Sequence, residues 1–264
     1  MTDLAPARRG RRAARAVVGV LLAVALAGCS GSEEEQPPDP VPTPPPTAAE
    51  PPAPPPDGAC YRLTFDEALA PAVAGEPVRC NRPHTSETYE VGRLDLLVDG
   101  HLVAVDSARA QAQVAETCPA ALADFVGGSL ADLRLSMVRP VWFTASVEES
   151  DRGADWFRCD VVVVAGDGEL ARLTESLEGA LSRSADRDRL AMCGTAAPDD
   201  RGFERVVCSA RHSWRAIEVV PFPDGDYPGA AAARELGRTQ CEEAGLDVAD
   251  DPPRLRVGLR VAHP

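Results

Sequence analysis

Val78-Arg79-Cys80, with His84 four positions on and Glu90-Val91 ten and eleven on, returns as Val206-Val207-Cys208, with His212, Glu218 and Val219 at the same offsets. A cysteine precedes each block, Cys60 the first and Cys193 the second. An alanine-rich stretch with another cysteine follows each, Cys118 within 108–125 and Cys241 within 229–243. Shared order and spacing over this many positions is the mark of an internal repeat. The chain reads as two copies of one α+β module, the first over 58–166 and the second over 189–264, joined by a connection over 167–188.

The module itself reads as short antiparallel strands closed by a helix. Stretches 87–97 and 217–222 mix β-branched, aromatic and polar residues between Pro and Gly groups, as half-buried strands do. Asp106 or Ser107 is a suitable N-cap, and Ala110, Val114, Cys118 and Leu122 then recur at helical spacing until Gly127 and Gly128 stop the helix. That stripe puts Cys118 on the buried face. Residues 133–144 and 157–165 read as further strands, the latter holding Cys159, and 254–262 as the final strand of the second copy.

Seven cysteines follow Cys29: Cys60, Cys80, Cys118, Cys159, Cys193, Cys208 and Cys241. None stands in a C-x-x-C pair of the kind structural zinc sites and redox centres use, and their spread favours bridges in an oxidising compartment. The bridges assigned are Cys60 to Cys80, Cys118 to Cys159 and Cys193 to Cys208, although seven cysteines admit other connectivities. Each contributes about 2 to 4 kcal/mol, useful to small modules with limited cores. The final strand has no cysteine to match Cys159, so Cys241 is the expected free thiol.

Outward from the repeat, the N-terminus carries an address. Arg8, Arg9, Arg11, Arg12 and Arg15 precede an apolar run too short to span a bilayer, and Leu26-Ala27-Gly28-Cys29 closes it. This run resembles the lipobox of bacterial lipoproteins, which implies cleavage after residue 28 and acylation of Cys29, palmitate being one such chain. Two or three acyl chains anchor stably, because one alone binds marginally and each buried CH₂ adds about 0.8 kcal/mol. The protein is thereby expected on the extracytoplasmic face of the cell membrane. Residues 29–57, rich in Pro and Glu, cannot build a core and read as a disordered tether. Fully extended at about 3.1 Å per residue, it reaches roughly 90 Å from the membrane.

Composition agrees with this reading. The net charge is −14, and the first 28 residues hold five arginines against one acid, Asp3, so their removal takes away +4 and leaves −18. Such a surface repels phosphate backbones and offers no basic stripe, which argues against nucleic acid as a partner. All 27 basic residues are arginine, as a GC-rich genome would produce.

Cys80, Pro83, His84, Glu90, Val91, Cys118, Trp142, Trp156 and Cys159 together resemble the septum-formation domain family of actinobacterial membrane and lipid-anchored proteins. The second copy keeps Cys193, Cys208, His212, Glu218, Val219 and Cys241, but has Arg211 in place of the proline and lacks the terminal tryptophan and cysteine. The resemblance implies a link to cell division or the envelope and no established reaction.

His84 and His212 repeat, each beside a hydroxyl residue, Thr85 or Ser213, with acids such as Glu87 near the first. A catalytic reading wants a third group to orient the histidine, which such acids could supply, but no G-x-S-x-G elbow or other nucleophile motif is present. A metal site joining Cys80 to His84 conflicts with a disulfide at Cys80, and no H-E-x-x-H motif occurs. The favoured role is a turn histidine whose ring bonds within the loop. Trp142, Trp156 and Trp214 are expected to fill core, and the acids of 224–226 and 247–251, which lack an EF-hand pattern, to lie in solvated loops. No catalytic residue, metal or cofactor is assigned. The expected function is a non-enzymatic, lipid-anchored binding or scaffold protein for an envelope or division partner. The alternatives are a cell-wall hydrolase or metal-dependent enzyme built on His84, and a solute-binding lipoprotein.

Overall fold

The computed structural model describes residues 50–248 other than 74, 199, 223 and 224, together with Gly258. The signal segment, Cys29, most of the tether and the strand read over 254–262 lie outside the described residues. In chain order the first copy contains β1 (Cys60–Tyr61), α1 (Phe65–Ala68), β2 (Ser86–Arg93), β3 (Leu97–Val98), β4 (His101–Leu102) and α2 (Ala108–Val126). There follow α3 (Leu130–Arg134), β5 (Val138–Thr144), α4 (Val147–Asp151), β6 (Trp156–Gly166) and β7 (Glu169–Leu170). The architecture is α+β, with antiparallel pairing in the order β1-β2-β6-β5 and β7 added to β6.

Helix α2 forms where its spacing places it. Ser107 caps it by accepting from the Ala110 amide, and Gly127 and Gly128 end it at φ +68° and +78°, angles that a β-carbon resists. Its stripe of Ala110, Val114, Cys118, Leu122 and Val126 is fully buried. Alternate residues of β6 meet that stripe: Phe157 and Cys159 lie with Val114 and Cys118, and Val161 and Val163 with Leu122 and Val126. The Cys118–Cys159 bridge crosses this interface and ties helix to sheet.

Two strand boundaries differ from the sequence reading. The strand expected over 87–97 stops at Arg93, beyond which only the two-residue β3 pairs, with β4. The one expected over 133–144 is split: Ser129 and Asp132 form a reciprocal capping box that starts α3, and β5 begins at Val138. Pro140 is tolerated because β5 is an edge of its sheet.

Helix α5 (Ser184–Leu190) leads from the connection into the second copy, which supplies β8 (Met192–Gly194), β9 (Arg205–Val207), β10 (Trp214–Arg215) and α6 (Ala230–Asp247). The second copy's pairing around the cysteines repeats that of the first. Cys60 faces Glu87 and Cys193 faces Arg215, each partner three positions after its histidine. Cys60 also bridges to Val78, as Cys193 does to Val206, each two positions before the second cysteine. The bridges Cys60–Cys80 and Cys193–Cys208 close the two corresponding loops.

The strand expected over 217–222 is not formed, since β10 ends at Arg215. In the first copy β2 is held on both sides, by β1 and β6, whereas β10 pairs with β8 alone among the described residues. Pro221 also lacks an amide to donate.

The two copies share a core. Val138, Val161, Leu122 and Leu181 cluster with Leu190 and Val207. Main-chain bonds from Met137 N to Leu190 O (2.8 Å) and from Met192 N to Leu135 O (2.7 Å) join the copies directly. Residues 167–188, read as a connection, are built into this body: β7 pairs with β6, Leu173 pairs with His84, and Leu177, Ala180 and Leu181 are buried.

Candidate functional site

His84 lies four residues beyond Cys80, outside the loop that the Cys60–Cys80 bridge closes, and is 1 % exposed. Its Nδ1 donates to Arg82 O at 2.8 Å, and its backbone exchanges bonds with Leu173. His212 repeats the ring bond, to Ala210 O at 2.9 Å, on the exposed surface. The hydroxyl beside His84 is used structurally, since Thr85 Oγ1 donates to Leu63 O and accepts from Leu63 N, both at 2.7 Å. Glu87 is buried and accepts from Ser176 Oγ and from Leu177 N, which holds the 176–177 segment on the sheet. Both histidines are therefore turn residues, and among the described residues neither ring is hydrogen-bonded to a nucleophile.

Two sets of potential metal ligands converge, Cys60 with Cys80 and Glu87, and Cys193 with Cys208 and His212. In each set both sulfurs are joined in a disulfide, which has no thiolate to offer. Of the acids expected in loops, Asp226 is exposed and Asp247 is the last residue of α6; Asp224 and 249–251 lie outside the described residues.

The other face of β6 carries a charged pair that the sequence reading did not single out. Arg158 lies against Tyr61, 3.9 Å from its ring centroid, and 4.7 Å from that of Phe143. Its Nη2 is 3.3 Å from Asp160 Oδ2, an ion pair without hydrogen-bond geometry. Asp160 accepts from Ser86 Oγ at 2.5 Å and from Thr88 Oγ1 at 2.7 Å. Burial pushes the Asp160 carboxyl above the usual range, against the opposing pull of Arg158, Ser86 and Thr88. Two charged residues alternating in phase along an otherwise apolar strand, opposite the Cys159 face, were the available signal. The cluster is sealed, so it organises the sheet and cannot reach a ligand.

An accessible site lies where the copies meet. A groove of about 1240 Å³ is walled by Leu133 and Val138 of the first copy and by Met192, Phe203, Trp214 and Ile217 of the second. Arg134, Arg139 and Arg205 line it too, as do Glu218 and Cys241. Cys241 is a free thiol, half-buried, and burial together with the Glu218 carboxylate pushes it up. Glu90, the counterpart of Glu218, is instead half-buried within β2 opposite Cys159.

Comparison with known families gives two matches along this chain, at 53–150 and at 144–257, both to the family described as septum formation. The chain belongs to the septum-formation family. No curated protein and no solved structure matches it. The two septum-formation segments meet at α4, so Trp156 and Cys159 fall at the head of the second, although Cys159 is bonded to Cys118 of the first. The positions repeated in both copies, the cysteine pair and the turn histidine, build loops. The Glu-Val pair differs between the copies: Glu90-Val91 lies within a sheet, whereas Glu218-Val219 lines the groove. Trp156 is buried in the core and Trp142 packs against it, while Trp214 faces the groove half-exposed.

Proposed function

We propose that this septum-formation protein is a non-enzymatic, lipid-anchored binding protein on the extracytoplasmic face of the membrane, and that the groove between its copies receives a segment of an envelope or division partner. The groove carries this reading, because it is a concavity of about 1240 Å³ whose walls come from both copies. The turn histidines support the non-enzymatic part, since their rings and the Thr85 hydroxyl are held in loop hydrogen bonds. The lipobox-like run ending at Cys29 supports the anchor. Among the described residues no helix is long and apolar enough to cross a membrane. Anchor and tether together would raise the effective concentration of the groove near membrane-bound partners, so a weak contact suffices.

Photo-crosslinking in dividing cells tests this reading. A photoreactive residue at Ile217, in the groove, is expected to give one discrete adduct in the membrane fraction, and one at the exposed Leu97 is expected to give none. Cys29→Ala is expected to move the protein out of the membrane fraction. Equal labelling from both positions, or membrane retention of Cys29→Ala, would overturn it.

A further inference from the structure

The groove has a charge as well as a shape. Four arginines line this one cavity, and of these Arg215 pairs with Asp188 whereas Arg134, Arg139 and Arg205 pair with no carboxylate among the described residues. Arg139 is half-buried on β5, where Nη1 donates to Ser136 O at 2.9 Å and to Val138 O at 2.6 Å, bonds that fix the guanidinium. Both guanidinium groups line the groove, and burial together with the positive charge of Arg205 pushes Arg139 down, so two like charges face one cavity. In a chain of net charge −14 this is a localised positive end on an otherwise repelling body.

We infer that Arg139 and Arg205 form a carboxylate-binding end of the groove, and that the occupant is an acidic peptide segment whose apolar side chains lie along Val138, Trp214 and Ile217. This rests on the groove being the binding site. A carboxylate fits the planar guanidinium fork and relieves the repulsion between the two arginines. The apolar walls suit alternating aliphatic side chains. An anionic membrane surface is disfavoured, because the acidic body would have to approach it closely for the groove to engage. Glu218, on the α6 side near Cys241, carries the opposite sign and fixes the polarity of the bound segment.

The test is fluorescence anisotropy with the full chain in detergent micelles and a fluorescein-labelled peptide alternating leucine with glutamate. A control peptide carries glutamine at each glutamate. The acidic peptide is expected to bind about tenfold more tightly than the control, the worth of one charge-assisted pair, and to weaken as salt rises. Arg205→Gln, at an exposed position, should reduce the difference while leaving the urea midpoint unchanged, and Arg139→Gln should abolish it. Equal binding of both peptides would overturn the carboxylate site and leave the groove. Binding of neither peptide, with Arg205-dependent sedimentation on phosphatidylglycerol vesicles, would overturn the peptide in favour of a lipid headgroup. No binding in either assay would overturn the groove itself.

Discussion

His84 and His212 make the same bond in the two copies: each Nδ1 donates to the carbonyl two residues back, Arg82 at 2.8 Å and Ala210 at 2.9 Å. Their surroundings differ, since His84 is buried against the segment around Leu173 and His212 is exposed. His84→Ala should therefore cost about 2 to 4 kcal/mol, combining a lost hydrogen bond with an internal cavity. His212→Ala should cost about 1 kcal/mol or less. Urea unfolding of both variants checks this, and equal losses would refute the account of the turns.

The Arg158–Asp160 pair is expected to behave as a unit. Asp160→Ala removes the partner of a buried guanidinium and the acceptor of Ser86 and Thr88, and should cost about 3 to 5 kcal/mol. The double variant Arg158→Met, Asp160→Val should be less unstable than Asp160→Ala, because no charge is then left unpaired. Burial raises the folded Asp160 carboxyl above its ordinary value of 3.8. The folded chain thus holds this proton more tightly than the unfolded chain does. That contribution is full below the unfolded value and is lost as pH rises through the folded one. The stability of the wild type relative to Asp160→Asn should accordingly fall as pH rises from the acid side, and a rise would contradict the burial argument.

Cys241 offers a spectroscopically simple probe of the groove. Burial and Glu218 hold its thiol above the ordinary 9.0, and only the thiolate alkylates. Its iodoacetamide rate should reach half-maximum at a higher pH than that of a free cysteine. Glu218→Gln should shift the profile down without restoring it fully, because burial remains. An unchanged profile would show that Glu218 does not face the thiol.

Much of the first copy was legible in the sequence because local signals and tertiary packing agree there. The Ser107 cap, the stripe from Ala110 to Leu122 and the Gly127-Gly128 stop each act within one helix, and the structure uses all of them. The three bridges join the pairs assigned in the sequence analysis, where other connectivities were open, with Cys241 left over. Residues 217–222 were misread because a strand needs a neighbour, which residue types do not reveal, and among the described residues β10 pairs with β8 alone. The groove was hidden for a similar reason: Arg139 and Arg205 are far apart in sequence and meet only because the copies join through Leu135, Leu190 and Met192.

The groove as the working site is tested most directly by where the protein goes in dividing cells. A fluorescent fusion of the full chain should concentrate at the septum. Ile217→Glu, which places an acid among the groove residues without touching the core, should lose that enrichment while keeping its membrane fraction and its urea midpoint. Septal enrichment of Ile217→Glu at the wild-type level would contradict the account.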